Sequence, residues 1–398
     1  MRRREFLGAA AAAPLAKGQS GRKRIACLSS TYFVRSHSDN FITRFLEGYW
    51  IGEEYHAPPF EVASLWIDQV HPADVGHRLA KAYNVPLAPS IADALTLGGG
   101  KLAVDGVVLI CEHGNFPHNE KNQQLYPRYE YFEQVARVFR ASGRACPVFT
   151  DKQLSYDWNK AKRMYDWSRE LRFPLMAGSS VPVTFRRPEY DPPVGMEMDT
   201  ALSVGGGWTA DGGIFHVLET LQAFVERRKG GETGVRAVRM LKGDEVWKAA
   251  KEGLWRRDLL DAVLARSEKP WTTDRPEQMD AVLGLVEYRD GFRGAVLALS
   301  GLSEYLAAVK PRKGDAQATL CYTPIENSNN FSMLVHGITR MISTGAPPYP
   351  VERTLLVTGA LAGLMESGYR KGARIETPEL KIAYRPPQRS WYAAGMGS

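Results

Sequence analysis

The 398-residue chain is poor in cysteine, has no long apolar run, and carries almost no excess charge beyond its first residues. Four cysteines do not define a disulfide framework at this length. Cys27, Cys111, Cys146 and Cys321 each lie inside an apolar run, which points to buried free thiols. Nowhere does the chain approach the roughly 20 consecutive apolar residues of a membrane span. The formal charge of +7 resides at the start: residues 1–24 hold seven Lys and Arg against Glu5 alone, leaving 44 basic and 43 acidic residues in the remainder. A body this close to neutral excludes nucleic acid as a partner. With 44% hydrophobic and 24% charged residues and a mean hydropathy of -0.30, disordered, collagen-like and polytopic membrane classes are excluded. The length suits two packed domains rather than one core.

What is present begins with Arg3-Arg4-Glu5-Phe6-Leu7, followed by Gly8, Ala9 to Ala13, Pro14, Leu15 and Ala16. A basic segment, a short apolar stretch and small residues make a secretory signal over residues 1–20, and twin arginines before x-Phe-Leu point to the Tat route. A periplasmic or otherwise extracytoplasmic protein, exported already folded, is therefore expected. The bland alternative is a frayed basic terminus.

Apolar runs at 24–30, 60–68, 104–111, 146–150 and 173–178 read as strands. Between them, 39–54, 72–83, 91–97, 129–142 and 156–171 read as amphipathic or helical segments, with Val75, Leu79 and Ala82 on one face of the second. Strands alternating with helices predict α/β architecture, a doubly wound parallel sheet. After Gly178 the pattern changes: 235–240, 281–288 and 292–300 are strand-like, and Arg289-Asp290-Gly291 forms a hairpin turn between the last two. Thr319–Thr323 extends that sheet, and helices at 217–228 and 352–367 flank it. The second part is an α+β domain with a largely antiparallel open sheet.

Ligands of a doubly wound sheet sit beyond the carboxyl ends of its strands, where strand order reverses. That rule selects Ser29, Ser30, Thr31, Tyr32 and Phe33, then Asp68, Glu112 with His113, and Asp151 with Lys152. An acid ending the second strand suits a ribose hydroxyl and disfavours a 2′-phosphate, so Asp68 predicts NAD over NADP; a solvated helix cap is the alternative. The loop 112–128 leaves the next strand with two histidines, two acids, Tyr126 and Arg128, a set able to hold a sugar through its hydroxyls. Glu112, His113, His118 and His216 could instead ligate a metal, but no zinc spacing is matched and none is expected.

Three segments carry a family resemblance. Pro147-Val-Phe-Thr-Asp-Lys-Gln-Leu154, a helix, then Phe173-Pro-Leu-Met-Ala-Gly178 resembles the Glu-Lys-Pro segment of the Gfo/Idh/MocA sugar oxidoreductases. Gly212-Gly-Ile-Phe-His-Val-Leu-Glu-Thr-Leu221 resembles the helix with the family's catalytic histidine, and 352–367 resembles its closing helix. The resemblance implies a Rossmann-type dinucleotide-binding domain over 22–155 and a substrate and oligomerisation domain over 156–398. It implies Lys152 beside the nicotinamide and the substrate hydroxyl, polarising the substrate oxygen. It implies His216 as general acid/base, with a pKa expected near the working pH. Glu219, at i+3, orients that helix or a substrate hydroxyl, and Tyr126, Arg128, Trp208 and Asp211 are further candidate substrate contacts.

The departures are equally plain. No glycine stands in Ser29-Ser-Thr-Tyr-Phe-Val-Arg-Ser-His37, where G-x-G-x-x-G lets the backbone turn tightly against a pyrophosphate; Tyr32 and Phe33 are bulky there. Gln153 replaces the family proline. Gly212 stands where an acid is usual, with Asp211 one residue before it, and Glu219 where an Asp is usual. His37, His56, His71 and His77 have no partner assignable from sequence, and Trp247 with Trp255 reads as a packing pair on one helix.

The expected activity is hydride transfer from a sugar or polyol to NAD, tightly held because an extracytoplasmic enzyme has no free pool of it. Redox-neutral glycosidase, lyase or epimerase chemistry with retained NAD is the alternative. A third possibility is a carbohydrate-binding or metal-dependent protein without the dinucleotide. A homo-oligomer formed through an exposed sheet face is expected by analogy alone.

Overall fold

The computed structural model describes residues 21–206, 210–269, 277, 280–324 and 327–395. The signal stretch 1–20 and Trp208 lie outside the described residues. In chain order the first half contains β1 (Arg24–Ser29), α1 (His37–Glu47), a hairpin of β2 (Tyr49–Ile51) and β3 (Glu54–His56), β4 (Glu61–Ile67), α2 (Gly76–Ala82), α3 (Ile91–Thr96), β5 (Gly106–Ile110), α4 (Arg128–Ser142), β6 (Val148–Asp151), α5 (Trp158–Glu170) and β7 (Leu175–Gly178). All pairings among β4, β1, β5, β6 and β7 are parallel, in that order across the sheet. Strand order reverses at β1, which places the switch point between the ends of β1 and β5. This is the doubly wound sheet expected from the alternating runs.

Local chemistry fixes the helices. Ser36 caps α1 by accepting from the Asp39 amide, Ser90 does the same for α3, and Asp157 for α5. The expected segment 39–54 divides at Gly48, whose φ of +85° ends α1 and admits the β2–β3 hairpin. The parallel sheet takes its last strand from 175–178, beyond the boundary expected at residue 155.

The second half supplies β8 (Phe185–Arg187), β9 (Met198–Gly206), α6 (Ala210–Val225), β10 (Val235–Lys242), α7 (Asp244–Lys251), α8 (Arg257–Leu264), β11 (Ala281–Tyr288), β12 (Arg293–Leu299), β13 (Tyr305–Pro311), β14 (Gln317–Tyr322), α9 (Asn330–Thr344), α10 (Glu352–Tyr369) and β15 (Ile375–Glu376). Eight of these strands form a mixed sheet in the order β15-β10-β11-β12-β9-β13-β14-β8, antiparallel except for β9 with β12. The β11–β12 hairpin turns at 289–291 as expected. Helices α6 and α10 cover one face, with Phe215, Leu218, Leu221, Leu361 and Leu364 in the interface. Helices α7 and α8 cover the other, burying Leu259, Leu260 and Val263 against Leu202, Val204 and Leu297. The central strands are thus covered on both faces within one chain, so the face behind the oligomer expectation is occupied over this area. Trp247 lies in α7 but Trp255 follows the helix, bonding the Val246 carbonyl, so the pair does not share a helix although its rings are 6.0 Å apart.

The chain returns to the first sheet at its end. Helix α9 packs Phe331, Leu334, Val335 and Ile338 against the side of β1 and α1, and α10 packs on α5, α6 and β10. All four cysteines are buried and free. Among the described residues no helix is long and apolar enough to cross a membrane.

Candidate active site

Two strand ends set the centre of the site. Beyond β5, Glu112 is followed by His113 with φ +64°; beyond β6, Lys152 has φ +61°. Left-handed backbone at a residue with a Cβ costs on the order of 1 kcal/mol, so both residues are held there by their surroundings. For Lys152 the hold is a hydrogen bond from its amide to the Gly178 carbonyl at 3.0 Å. The lysine is therefore aimed by a bent strand end. Its Nζ donates to Glu112 Oε1 at 2.7 Å, and Arg128 Nη2, from the first turn of α4, donates to Glu112 Oε2 at 2.5 Å. Burial works against the Glu112 charge, but Lys152 and Arg128 outweigh it and hold this carboxylate well below the usual range.

The second wall is α6. His216 Nδ1 lies 3.0 Å from Ser179 Oγ, which donates to Glu219 Oε2 at 2.6 Å; the Ser179 amide donates to the same oxygen at 2.9 Å. This network assigns the Nδ1 proton to His216 and leaves the Nε2 lone pair free. Gly178 makes room for Glu219: a Cβ there would stand 2.2 Å from Glu219 Oε1. Burial pushes the Glu219 carboxyl up to about 7. Burial, with the charge of Lys152 adding, pushes His216 well below its ordinary value, so the expected pKa near the working pH is corrected: this imidazole is neutral. Glu219 is buried and does not border the cleft between the two walls; its link to His216 runs through Ser179.

Between the walls lies a cleft of about 380 Å³ bordered by Glu112, His113, Gln124, Tyr126, Lys152, Gln153, Asp211, His216 and Tyr305. Tyr126 Oη accepts from the His113 amide. Asp211, in the first turn of α6, accepts from the Gln124 amide at 3.1 Å and so ties the 112–128 loop to the helix. That loop is ordered by Asn119 Oδ1, which accepts from the Lys121 and Gln123 amides, and is anchored to α10 by Lys121 on Glu366 at 2.6 Å. Arg128, expected as a substrate contact, is buried beneath Tyr126, with Nη2 on Glu112 and with Nε and Nη1 lacking a hydrogen-bond partner among the described residues. Burial, with the charge of His37 adding, pushes His113 down to about 4. Among the described residues no three His, Cys, Asp or Glu are grouped to hold a metal.

The turn after β1 departs from its expected role. Ser29 Oγ meets Ser38 Oγ at 2.6 Å, Ser30 Oγ donates to the Glu112 carbonyl at 2.8 Å, and Tyr32 Oη meets Thr43 Oγ1 at 2.7 Å. These three and Thr31 are all buried, so the four expected cofactor contacts are turned inward. The reason is length: α1 starts only at His37, and the intervening residues pack as a loop instead of a tight turn. Asp68 stands exposed just beyond β4. The donor set at the β1 turn does not fit a pyrophosphate.

Gln124 and Tyr305, which border the cleft, and His37 and Ser179, which lie behind it, have no counterpart among the expected site residues. His37 Nδ1 lies 2.6 Å from Asp151 Oδ2, with Asp151 fully buried next to Lys152. The available signal was its place directly after the Ser36 cap of α1, a helix end that faces the strand ends. Ser179 could have been suspected only from its position after a strand ending in Gly178.

No family model matches the chain, and no curated protein does. Solved structures do. GenD2 from gentamicin A biosynthesis, in complex with NAD, aligns over 92% of this chain and 99% of its own with a TM-score of 0.55 at 11% identity. A putative myo-inositol dehydrogenase from Sinorhizobium meliloti 1021 aligns over 89% and 99%, with a TM-score of 0.53 at 14% identity. The apo scyllo-inositol dehydrogenase from Lactobacillus casei aligns over 89% and 99%, with a TM-score of 0.55 at 10% identity. These structures are of the Gfo/Idh/MocA type, and the chain has their two-domain fold, as its sequence resemblance implies.

Proposed function

We propose that the cleft is the active site of an enzyme that moves protons at a hydroxyl-bearing carbon of a sugar or polyol. The observation that carries this reading is the convergence of Lys152 and the free nitrogen of His216 on one polar cavity. Lys152, positioned by Glu112, whose carboxylate it shares with Arg128, presents an ammonium that hydrogen-bonds a substrate oxygen and stabilises negative charge as it develops there. His216 is neutral and accepts a proton at Nε2. The positive charge it gains is spread to Glu219 through Ser179, in the manner of a carboxylate-backed imidazole. Tyr126, Gln124 and Asp211 line the rest and suit hydroxyl groups.

Likeness in fold supports the oxidoreductase class, with a nicotinamide dinucleotide as hydride acceptor, and the exposed Asp68 agrees with it. The buried β1 turn favours a second reading, redox-neutral sugar chemistry. The signal-like first residues add export by the Tat route to either reading. The test is incubation with a panel of keto-cyclitols, keto-sugars and uronates, in which a carbonyl or carboxyl acidifies the neighbouring C–H, in deuterium oxide, followed by NMR for solvent deuterium entering that position. Exchange in the wild type that vanishes in Lys152→Met supports the assignment. A panel that neither binds nor exchanges refutes it.

A further inference from the structure

The crevice between the ends of β1, β4 and β5 is stitched together. In a dinucleotide-binding sheet the chain leaves β1 at once in a tight turn, and the free amides of that turn and of the following helix face the pyrophosphate. Here the β1–β4 ladder runs on past both strands: the Asp68 amide donates to the Ser29 carbonyl and the Gln69 amide to the Ser30 carbonyl, both at 2.9 Å. The Val75 amide then donates to the Tyr32 carbonyl at 3.0 Å, and Phe33 bridges to Asp74. On the opposite side Ser30 Oγ holds the Glu112 carbonyl, and the Asn115 amide donates to Gln69 Oε1 at 2.8 Å. Phe33 stacks on His71 at 4.2 Å and meets the His113 ring edge-on at 5.3 Å, filling the mouth.

Several of the amides that would greet an anion are spent as well. Those of Phe33 and Asp39 donate to Ser36 Oγ, that of Ser36 to the Phe33 carbonyl, and that of Arg35 to Asp39 Oδ2. Asp39 brings a carboxylate into the first turn of α1, where an anionic ligand would be repelled. A glycine-less turn, continued strand pairing and an acid at the helix start all act in one direction.

We infer that this crevice is built shut, so that the chain takes no nicotinamide dinucleotide in the pose its fold otherwise uses and its cleft works by redox-neutral proton transfer. The inference rests on the reading of the cleft as a sugar or polyol site. The balance closes for a substrate with a carbonyl next to the reacting carbon: its C–H proton passes to His216 Nε2 while the C–H electron pair moves into an enolate whose oxygen Lys152 stabilises, and the proton then returns to that carbon, or to the oxygen released as the β C–O bond breaks, so no electrons leave the substrate.

The full chain is titrated with NAD, NADH, NADP and NADPH to about 1 mM, a level at which even weak specific binding of about -4 kcal/mol registers. Native mass spectrometry and calorimetry read the result, and amide hydrogen exchange is recorded with and without NADH. No retained dinucleotide, no binding heat, and slow exchange at Gln69 and Val75 unchanged by NADH are expected. A co-purified dinucleotide, saturable binding, or rapid exchange at those two amides overturns the inference. Failure here leaves the sugar site standing, since the deuterium experiment needs no added nucleotide; absence of sugar exchange would instead remove the site while leaving the crevice closed.

Discussion

Lys152 Nζ and Glu112 Oε1 meet at 2.7 Å although their residues leave two different strands of the parallel sheet, both through left-handed backbone at or next to the strand end. The pair is buried, and Arg128 holds the other oxygen of the same carboxylate. Replacing Lys152 by Met removes the cation facing the substrate and leaves Glu112 with Arg128 alone. Substrate deuterium exchange should fall at least about a hundredfold. The loss of one charged hydrogen bond should lower stability by about 2 kcal/mol, readable by urea unfolding, with the native circular dichroism retained. Exchange at the wild-type rate would remove Lys152 from the chemistry.

Glu219 gives the fold a pH dependence of known sign. Its carboxyl is raised by burial to about 7 in the folded protein, above its unfolded value. It therefore contributes stability below the unfolded pKa, and this is lost as pH rises through about 7. The shift corresponds to on the order of 3 kcal/mol between the two limits. Glu219→Gln keeps the shape and cannot ionise, so wild-type stability minus variant stability should fall steadily from pH 5 to pH 8. A flat difference curve would show that Glu219 ionises as freely in the folded chain as in the unfolded one.

His113 acts with the opposite sign. Burial lowers its folded pKa to about 4, so its neutral form stabilises the protein above the unfolded value of about 6.5, and that contribution is lost as pH falls toward 4. His113→Asn should flatten the acid limb of the stability profile between pH 6.5 and 4 in thermal scans, leaving the limb above pH 7 unchanged.

How much of this was legible follows from the kind of signal each feature leaves. The buried strands at 24–29 and 106–110 are short unbroken apolar runs, and such runs alternating with helices dictate a parallel sheet. The placement of Asp68, Glu112, Asp151 and Lys152 at strand ends follows from that topology alone. β13 and α9 carried no expectation. β13 (Tyr-Leu-Ala-Ala-Val-Lys-Pro) is built largely of residues indifferent between helix and strand, and the antiparallel pairing with β9 decides the matter. The inward-facing hydroxyls of Ser29, Ser30 and Tyr32 were illegible for another reason. A missing glycine announces that the turn is unusual but not which way its side chains point. The same holds for Arg128 and Glu219, whose polarity suggested substrate contact while their partners Glu112 and Ser179 lie far away in sequence.

The position of Gly178 is set by what stands against it. Its φ is +128°, and an added Cβ would approach Glu219 Oε1 to 2.2 Å. Gly178→Ala should cost about 3 kcal/mol, combining backbone strain with displacement of a buried carboxyl. Because Glu219 is the group displaced, the cost should shrink in the Glu219→Ala background. Urea unfolding of the double-mutant cycle measures this coupling, and strict additivity would mean that the strain is purely local to the backbone.

Ser179 is the piece that separates a positioned His216 from a merely buried one. Its hydroxyl is the link between the imidazole and the Glu219 carboxyl, with 3.0 Å on one side and 2.6 Å on the other. Ser179→Ala removes the link and leaves Glu219 with the residue 179 amide as its remaining donor from this position. Binding of substrate should be unchanged, since the serine does not border the cleft, while the exchange rate should fall about tenfold to a hundredfold. In the wild type the pH profile of exchange should carry a limb near 7 from Glu219, and this limb should vanish in the variant although the carboxyl remains. Nitrogen-15 shifts of His216 should show a single Nδ1–H tautomer in the wild type and a mixture in Ser179→Ala. A variant that loses activity but keeps both the limb and the single tautomer would make Ser179 a packing residue only.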